Sequence, residues 1–145
     1  MITIIAGTDT KTKEAAFLIR KKVFVEEQKV PLHLEIDELD HEATHFVIYD
    51  DDSPIGAARM RPLAEGSCKI ERLCVLPEHR GKHLGSQIMD KVESFARENG
   101  WTTLTLHAQT QAIPFYEKRG YVVDSPEFLD AHIPHRAMVK KFDTK

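Results

Sequence analysis

The sequence has few of the residues and runs that mark fibrous, membrane-spanning or disulfide-stabilised proteins. Its 145 residues include only two cysteines, seven glycines and seven prolines, a composition that excludes collagen and low-complexity disorder. No apolar run approaches the roughly 20 residues that a membrane span needs, and residues 1–10 lack the basic start and apolar stretch of a signal peptide. The net charge of −3 leaves no basic footprint for nucleic acid. We therefore expect neither a nucleic-acid nor a membrane partner.

Length and cysteine placement predict one intracellular domain. Domains usually span roughly 100–200 residues, so residues 1–145 are expected to form a single one. Cys68 and Cys74 fall in one predicted strand, where six residues separate them by roughly 20 Å at about 3.3 Å per residue. A disulfide needs Cα atoms within about 7 Å, so these two cannot pair with each other. Reduced thiols without an export signal predict a cytoplasmic location.

Hydrophobic periodicity predicts alternating strands and helices along the whole chain. The predicted strands are residues 2–6, 45–49, 55–62, 68–76, 102–108, 121–123 and 137–142. The predicted helices are residues 11–28, a long helix between Pro77 and Gly100, and residues 111–119, with residues 32–41 as an acidic loop. Three hairpin-connected strands followed by a strand–helix–strand crossover predict one parallel pair in a mostly antiparallel sheet. The fold class is therefore α/β, with a mixed sheet and helices on both faces.

The segment between Val75 and Gly85 (VLPEHRGKHLG) joins a predicted strand to the longest predicted helix. Backbone N–H groups at a helix start have no intrahelical partners and lie at the positive end of the helix dipole, so they favour an anion. Gly81 allows close backbone approach, and Arg80 and Lys82 add positive charge. The pattern predicts a phosphate site. An ordinary capped helix with a solvated basic first turn accounts for this segment equally well.

This segment resembles the acyl-CoA pyrophosphate loop of the GNAT (Gcn5-related) N-acetyltransferases, Arg/Gln-x-x-Gly-x-Gly/Ala after a strand that ends in Val-x-Pro. Arg80 and Gly85 match the first and last positions, whereas His83 replaces the middle glycine. The run from Phe115 to Tyr121 (FYEKRGY) is similar to the Phe-Tyr-x-Lys-x-Gly-Phe run of these enzymes. Further runs that resemble the ElaA/YjcF-like branch are VFVEEQ at 23–28, EID at 35–37, HAQTQ at 107–111 and FLD at 128–130.

The resemblance implies the GNAT acyl-CoA N-acyltransferase fold, in which the central parallel strands splay apart. It implies transfer of an acetyl group from acetyl-CoA, the co-substrate, to a primary amine of a small molecule, without a metal. The free strand backbone would pair with the pantetheine arm, and the loop would hold the diphosphate. The donor-binding residues so implied are Cys74, Val75, Arg80, Gly81, Lys82, His83, Leu84, Gly85 and Ser86. Members of this superfamily often dimerise, so a homodimer stays open, although no sequence pattern identifies an interface.

The same resemblance implies two catalytic residues and three acceptor residues. Tyr116 would be the general acid, because a phenol can donate a proton to a leaving thiolate. His135 would be the general base, because imidazole titrates near neutral pH, with His107 as the second choice. The alternatives without a catalytic role are that Tyr116 is a residue at the edge of the core and that His135 is a loop histidine that takes no part in the reaction. The acceptor residues, by analogy with a more distant member that binds an acidic acceptor, are Arg20, Arg72 and Gln109.

The charge of the acceptor stays open at this stage. Two arginines at the acceptor positions favour an acidic acceptor, but Arg20 fits an ordinary surface ion pair at least as well. The acidic run 35–42 favours a cationic acceptor if it lines the cleft, and it fits a solvated face equally well. The sequence therefore does not name the acceptor.

Two competing functions are compatible with the residues. His41-Glu42-Ala43-Thr44-His45 matches the His-Glu-x-x-His pattern of zinc peptidases, which requires both histidines on one face of a helix. The predicted strand at His45 argues against that helix. The pairs His79/His83 and His132/His135 are weaker metal candidates. The second competing function is an acyl-CoA sensor or interaction module without turnover.

Overall fold

The structure, a computed structural model, describes residues 1–64 and 66–142. The strands are β1 (Ile2–Gly7), β2 (Thr44–Asp50), β3 (Ser53–Pro62), β4 (Ser67–Val75), β5 (Thr103–Gln109), β6 (Val122–Val123), β7 (Phe128–Asp130) and β8 (Ile133–Lys141). The α-helices are α1 (Thr10–Arg20), α2 (Leu32–Glu35), α3 (Leu84–Glu98) and α4 (Ile113–Lys118). A π-helix, Lys21–Glu27, continues α1, and 3₁₀ turns occur at Glu38–His41, Pro77–His79 and Thr110–Ala112.

The strands form one mixed sheet in the order β1-β2-β3-β4-β5-β8-β6, with β7 paired to β8. The pairs are antiparallel except for β4–β5, which is parallel. The parallel ladder runs only from Ser67 opposite Thr103 to Ile70 opposite Leu106, although both strands continue for several residues beyond it. The two strands therefore part after Ile70 and leave backbone N–H and C=O groups facing an opening. The predicted fold class and the splayed parallel pair are confirmed.

Helices cover both faces of the sheet because successive strand residues point to opposite faces. In β2, Phe46 and Ile48 pack with α3 residues such as Ile88, while Val47, between them, packs with Ile19 of α1. All of these side chains are fully buried. The sheet is thus the middle layer of three, and the opening between β4 and β5 lies between two packed faces.

A β-bulge at Arg72 interrupts the regular alternation of β4. Arg72 has a φ of 59°, and the register with β3 jumps from Ala57 opposite Cys74 to Arg59 opposite Glu71. An extra residue reverses the direction of the side chains beyond it. Cys68 accordingly packs on the α3 face and Cys74 on the α1 face. Both thiols are buried, and they do not pair with each other, as predicted.

Several predicted boundaries differ from the structure. The acidic loop predicted at 32–41 contains α2 and a 3₁₀ turn instead of irregular chain. The helix predicted over 11–28 changes from α to π at Lys21. The last strand begins at Ile133, four residues before the predicted start, and pairs with β7, which sequence analysis missed. Within residues 1–64 and 66–142, no helix combines the length and apolar character of a membrane span.

Candidate active site

A cavity of about 660 Å³ lies where β4 and β5 part. Its walls are the second half of β4, the segment before α3, the end of β5, α4, the β7–β8 turn and residues of the π-helix. The predicted site residues that line it are Arg72, Cys74, Val75, Arg80, Gly81, His83, Leu84, Gly85, Ser86, His107, Gln109, Tyr116 and His135. Lys82 and Arg20 are not among the lining residues. The fold therefore gathers most of the predicted donor and catalytic residues around one space.

The first turn of α3 opens into this cavity without a side-chain cap. The residue before the helix, His83, has left-handed backbone angles (φ 61°, ψ 21°), and its side chain accepts no hydrogen bond from the first turn. A Cβ on Gly85 would meet the protein no closer than 3.5 Å from Phe115 Cζ. A side chain at position 85 would therefore fit without a clash inside the protein. Because glycine lacks that side chain, a ligand can approach the backbone closely at this position. The geometry suits an anion at the helix start.

Arg80 does not project freely toward this helix start. Its Nη1 and Nη2 donate to Glu27 Oε2 and Oε1 at 2.7 and 2.6 Å, and its Nε donates to the Val75 carbonyl at 2.9 Å. The hydrogen bonds from Arg80 lower the pKa of the Glu27 carboxyl, so this group is ionised near neutral pH. In this structure the positive charge predicted for the phosphate site is thus balanced by a carboxylate on the π-helix.

Tyr116 lies on α4, largely buried, and is one of the residues that line the cavity. The ring packs edge-on against Phe115 at 4.9 Å and against Tyr121 at 5.7 Å between centroids. Burial raises the pKa of Tyr116, because it penalises the phenolate. The hydroxyl therefore stays protonated near neutral pH, and Tyr116 remains the candidate proton donor.

His135 lies inside strand β8, not in the loop that the sequence predicted. Its Nδ1 lies 2.7 Å from the Ile133 carbonyl oxygen; a carbonyl only accepts, so Nδ1 carries the hydrogen. In the neutral tautomer that this contact selects, the lone pair is on Nε2, for which the described residues provide no hydrogen-bond partner. The ring stacks on Phe128, with centroids 6.1 Å apart and an interplanar angle of 19°. His135 is therefore held in one orientation as a candidate base.

His107 contacts the same aromatic ring from β5. Its centroid lies 5.0 Å from that of Phe128 in an edge-on arrangement. Burial lowers the pKa of His107, and the nearby Lys69 ammonium lowers it further. His107 is therefore neutral near pH 7 and remains the second candidate base.

Arg20 is part of a buried charge cluster outside the cavity, and its assignment to the acceptor site is wrong. The side chain is fully buried and donates to Glu35 Oε1 at 2.8 Å and to Asp40 Oδ1 at 2.7 Å. Arg59, at 1% exposure, also binds Asp40, at 2.9 Å. The expected pairing of Arg20 at the surface is also wrong. Arg20 and Arg59 instead form buried ion pairs with acidic residues of the 32–41 segment.

Arg72 and Gln109 line the cavity but already have partners. Arg72 binds Glu35 Oε2 at 3.1 Å and Asp37 Oδ2 at 3.4 Å. Gln109 Nε2 donates to Gln28 Oε1 at 2.9 Å. The arginines and the acidic segment therefore satisfy each other, which removes the strongest sequence argument for an acidic acceptor and the strongest one for a cationic acceptor.

The zinc-peptidase alternative lacks the helix that it needs. His41 ends a 3₁₀ turn, whereas His45 lies in β2, fully buried, with its Nε2 3.1 Å from the Asp40 carbonyl oxygen. The two histidines thus do not share a helix face. Among the described residues, no three or more His, Cys, Asp or Glu side chains are grouped as metal ligands.

Comparison with known proteins agrees with this geometry. The model of the family described as "Acetyltransferase (GNAT) domain" matches residues 8–142. The chain belongs to the GNAT acetyltransferase family. It is 48% identical over 141 residues to the uncharacterized N-acetyltransferase YjcF of Bacillus subtilis (strain 168), a match that covers 97% of this chain and 99% of YjcF. The predicted resemblance to GNAT enzymes and to their ElaA/YjcF-like branch is confirmed.

Solved structures give the same result. An acyl-CoA N-acyltransferase from Pseudomonas aeruginosa is 28% identical, with a TM-score of 0.87 and coverage of 97% of this chain and 99% of that one. Escherichia coli ElaA is 23% identical and has the same fold, with a TM-score of 0.87 over 97% of this chain and 100% of ElaA. GNAT enzymes take their acyl group from acetyl-CoA or another acyl-CoA.

Sequence reasoning missed three features in or next to the cavity of this GNAT acetyltransferase. Glu27 binds Arg80, and Gln28 binds Gln109, although both residues belong to the recognised VFVEEQ run. Asp130 lies at the cavity beside the β7–β8 turn, whose residues Ala131 and His132 both have positive φ. Long-range contacts of this kind follow from the topology, and a one-dimensional pattern carries no signal for them.

Proposed function

We propose that this GNAT acetyltransferase transfers the acetyl group of acetyl-CoA to a primary amine of a small molecule by direct attack. One observation supports the proposal: the uncapped start of α3, Tyr116 and the fixed His135 ring all line a single cavity at the strand opening. These are an anion site, a proton donor and a proton acceptor, which are the groups that aminolysis of a thioester needs.

The donor would bind along the side of the cavity formed by β4 and α3. The free backbone of Cys74 and Val75 would pair with the pantetheine arm in the manner of an added strand. The amides from Gly81 to Ser86 would hold the diphosphate at the positive end of the helix dipole. Arg80 would supply positive charge from the same loop by leaving Glu27 or sharing its guanidinium with it, and Lys82 would add charge from outside the cavity lining.

Two side chains would move the protons. His135 Nε2 would take one proton from the acceptor ammonium, and the neutral nitrogen would attack the thioester carbonyl carbon. As the new C–N bond forms and the C–S bond breaks, the Tyr116 hydroxyl would give its proton to the departing sulfur. The second proton lost by the acceptor nitrogen would restore Tyr116, and the proton on His135 would pass to solvent. The products are an acetamide and free CoA.

The acceptor end favours a neutral or cationic amine over an acidic molecule. Arg72 is already neutralised by Glu35 and Asp37. Among the residues that the structure describes, no ion pair is recorded for Asp130, which lines the cavity near His107. A carboxylate in this position would attract the ammonium group of an acceptor before it is deprotonated.

The test is a panel of amines, amino sugars, amino acids and polyamines, with release of free CoA as the readout. We expect turnover with at least one amine. General acid–base catalysis contributes roughly 10²–10⁴-fold, so Tyr116→Phe and His135→Ala should each lower kcat by about that factor. Tyr49→Phe and His41→Ala are the matched controls, because they make the same chemical changes at residues that do not line the cavity.

Each failure has a separate meaning. Unchanged kcat in both Tyr116→Phe and His135→Ala would remove the two role assignments. Binding of acetyl-CoA without CoA release across the whole panel would favour an acyl-CoA sensor. Calorimetry with no heat on addition of CoA, and no thermal stabilisation, would overturn the donor itself.

A further inference from the structure

The segment from Lys21 to Val30 crosses the mouth of the cavity and touches both of its walls. We call it the bridging segment. Glu27 binds Arg80 in the loop that follows β4, and the next residue, Gln28, binds Gln109 at the end of β5. Two consecutive residues therefore link the two sides of the strand opening.

The bridging segment is held in place independently of Glu27. The Gln28 N–H donates to the Val23 carbonyl at 3.0 Å, and the Val30 N–H donates to the Phe24 carbonyl at 2.8 Å. The side chains of Val23 and Val30 are buried, at 2% and 8% exposure. A change at Glu27 therefore alters a charge at the cavity mouth without removing the contacts that position this backbone.

The Glu27–Arg80 pair engages three of the five N–H groups of the guanidinium. Two bind the Glu27 carboxylate and one binds the Val75 carbonyl, which leaves two for any further anion. Both side chains are more than a third exposed, Arg80 at 43% and Glu27 at 37%. Exposed ion pairs of this kind contribute little to stability, so an incoming polyanion can displace this one. The buried pairs of Arg20 do not have this property.

We propose that Glu27 is a specificity-determining residue for the acyl donor, because it competes with the donor's diphosphate for Arg80. This inference rests on the proposed acetyl-CoA donor. A diphosphate at the start of α3 brings negative charge next to an arginine that already neutralises a carboxylate. The donor must therefore displace Glu27 or share the guanidinium with it. Either way, the Glu27 carboxylate weakens donor binding, and it does so only for donors that carry the diphosphate.

The test compares two donors and two matched variants. Glu27→Gln keeps the size of the side chain and removes its charge. Glu26→Gln makes the same change at the adjacent exposed residue, for which the described structure records no ion pair. Kd is measured by calorimetry at low salt for CoA, and KM is measured for acetyl-CoA and for S-acetylpantetheine, which lacks the diphosphate.

Glu27→Gln should bind CoA about two- to fivefold more tightly than the wild type, the range expected for release of an exposed ion pair. The gain should shrink as salt is added. When Arg80 is already replaced by Gln, adding Glu27→Gln should give no further gain in CoA affinity. KM for S-acetylpantetheine should not change, and Glu26→Gln should behave like the wild type with both donors.

Three results would overturn the inference. They are equal CoA affinity in Glu27→Gln and the wild type, weaker affinity in Glu27→Gln, or an equal gain with S-acetylpantetheine. Weaker affinity would mean that Glu27 holds Arg80 ready for the diphosphate instead of competing with it. A failure of the proposed donor would be recognised by a different result: neither the wild type nor the two variants would bind CoA.

Discussion

Arg20→Met is the substitution that most directly tests the buried charge cluster beneath the acidic segment. Methionine keeps much of the length of the side chain but removes the guanidinium. The wild-type group is fully buried and donates to Glu35 Oε1 at 2.8 Å, to the Glu35 carbonyl at 2.5 Å and to Asp40 Oδ1 at 2.7 Å. Its removal leaves two carboxylates of 3% exposure each with fewer partners.

The expected cost is about 3–5 kcal/mol, which is typical when one partner of a buried ion pair is removed. The value should lie toward the lower end, because Arg59 still binds Asp40 and Arg72 still binds Glu35. At roughly 2–4 °C per kcal/mol for a chain of this size, Tm should fall by roughly 6–20 °C. A loss of that size is a large part of the about 5–15 kcal/mol that stabilises a natural domain.

Urea unfolding of the two proteins at about pH 7 and at about pH 5 would measure the effect. In Arg20→Met the orphaned carboxylates take up protons more readily when folded than when unfolded, so the penalty relative to the wild type should shrink at the lower pH. Lys21→Met is the control, because Lys21 is exposed and next in the chain. A loss below about 1 kcal/mol, or one that is equal at both pH values, would refute the assignment of Arg20 to a structural ion cluster.

Three further predictions concern two buried carboxyl groups, the backbone at His83 and the role of Asp130. Burial disfavours ionised Asp40 and Glu71, but hydrogen bonds and charges from neighbouring arginines outweigh it and lower the pKa of each carboxyl to about 2, from 3.8 and 4.5. Their contribution to stability should therefore be complete above about pH 4.5 and be lost as the pH falls toward 2; a urea midpoint that is flat over this range would contradict this. His83→Gly should be neutral or stabilising by about 0–1.5 kcal/mol in thermal unfolding, because relief of the left-handed backbone at φ 61° opposes the greater chain entropy of glycine; a loss above about 1 kcal/mol would be inconsistent with it. Asp130→Asn should raise KM for the amine severalfold and leave KM for acetyl-CoA unchanged, and an equal change in both would exclude a role in acceptor binding.

The sequence was sufficient for the parts of the fold that depend on local pattern. The apolar stripe of α3, the hairpins of β2, β3 and β4, and the crossover to β5 all follow from periodicity and turn residues. The change from α- to π-helix at Lys21 was not predictable, because the π-helix has only seven residues, too few for a change of period to be recognised. The β7–β8 hairpin was missed for another reason: Phe128–Asp130 has only three residues, too few for alternation to be recognised.

The candidate site was predicted residue by residue through the family motifs, and the motifs located the cavity walls well. They did not show which charges remain free. The sequence shows only that Arg20, Arg72 and Arg80 are positively charged. In the structure, each is neutralised by a carboxylate that lies 15 to 53 residues away along the chain. These pairings arise when the sheet brings distant segments together. For the same reason, the conflict between an acidic and a cationic acceptor was not resolvable without the three-dimensional structure.

The bulge at Arg72 shifts the alternation of side chains along strand β4 by one residue. Before the bulge, the even-numbered residues Cys68 and Ile70 face α3. After it, the odd-numbered residues Leu73 and Val75 face α3, and Cys74 packs beneath α1. Deleting a single residue at this point would invert the last three positions of the strand. The thiol would then face α3, and the leucine and valine on either side would be turned toward α1. Variant libraries of this protein should therefore randomise the two stretches of β4 as separate units, with Arg72 kept fixed.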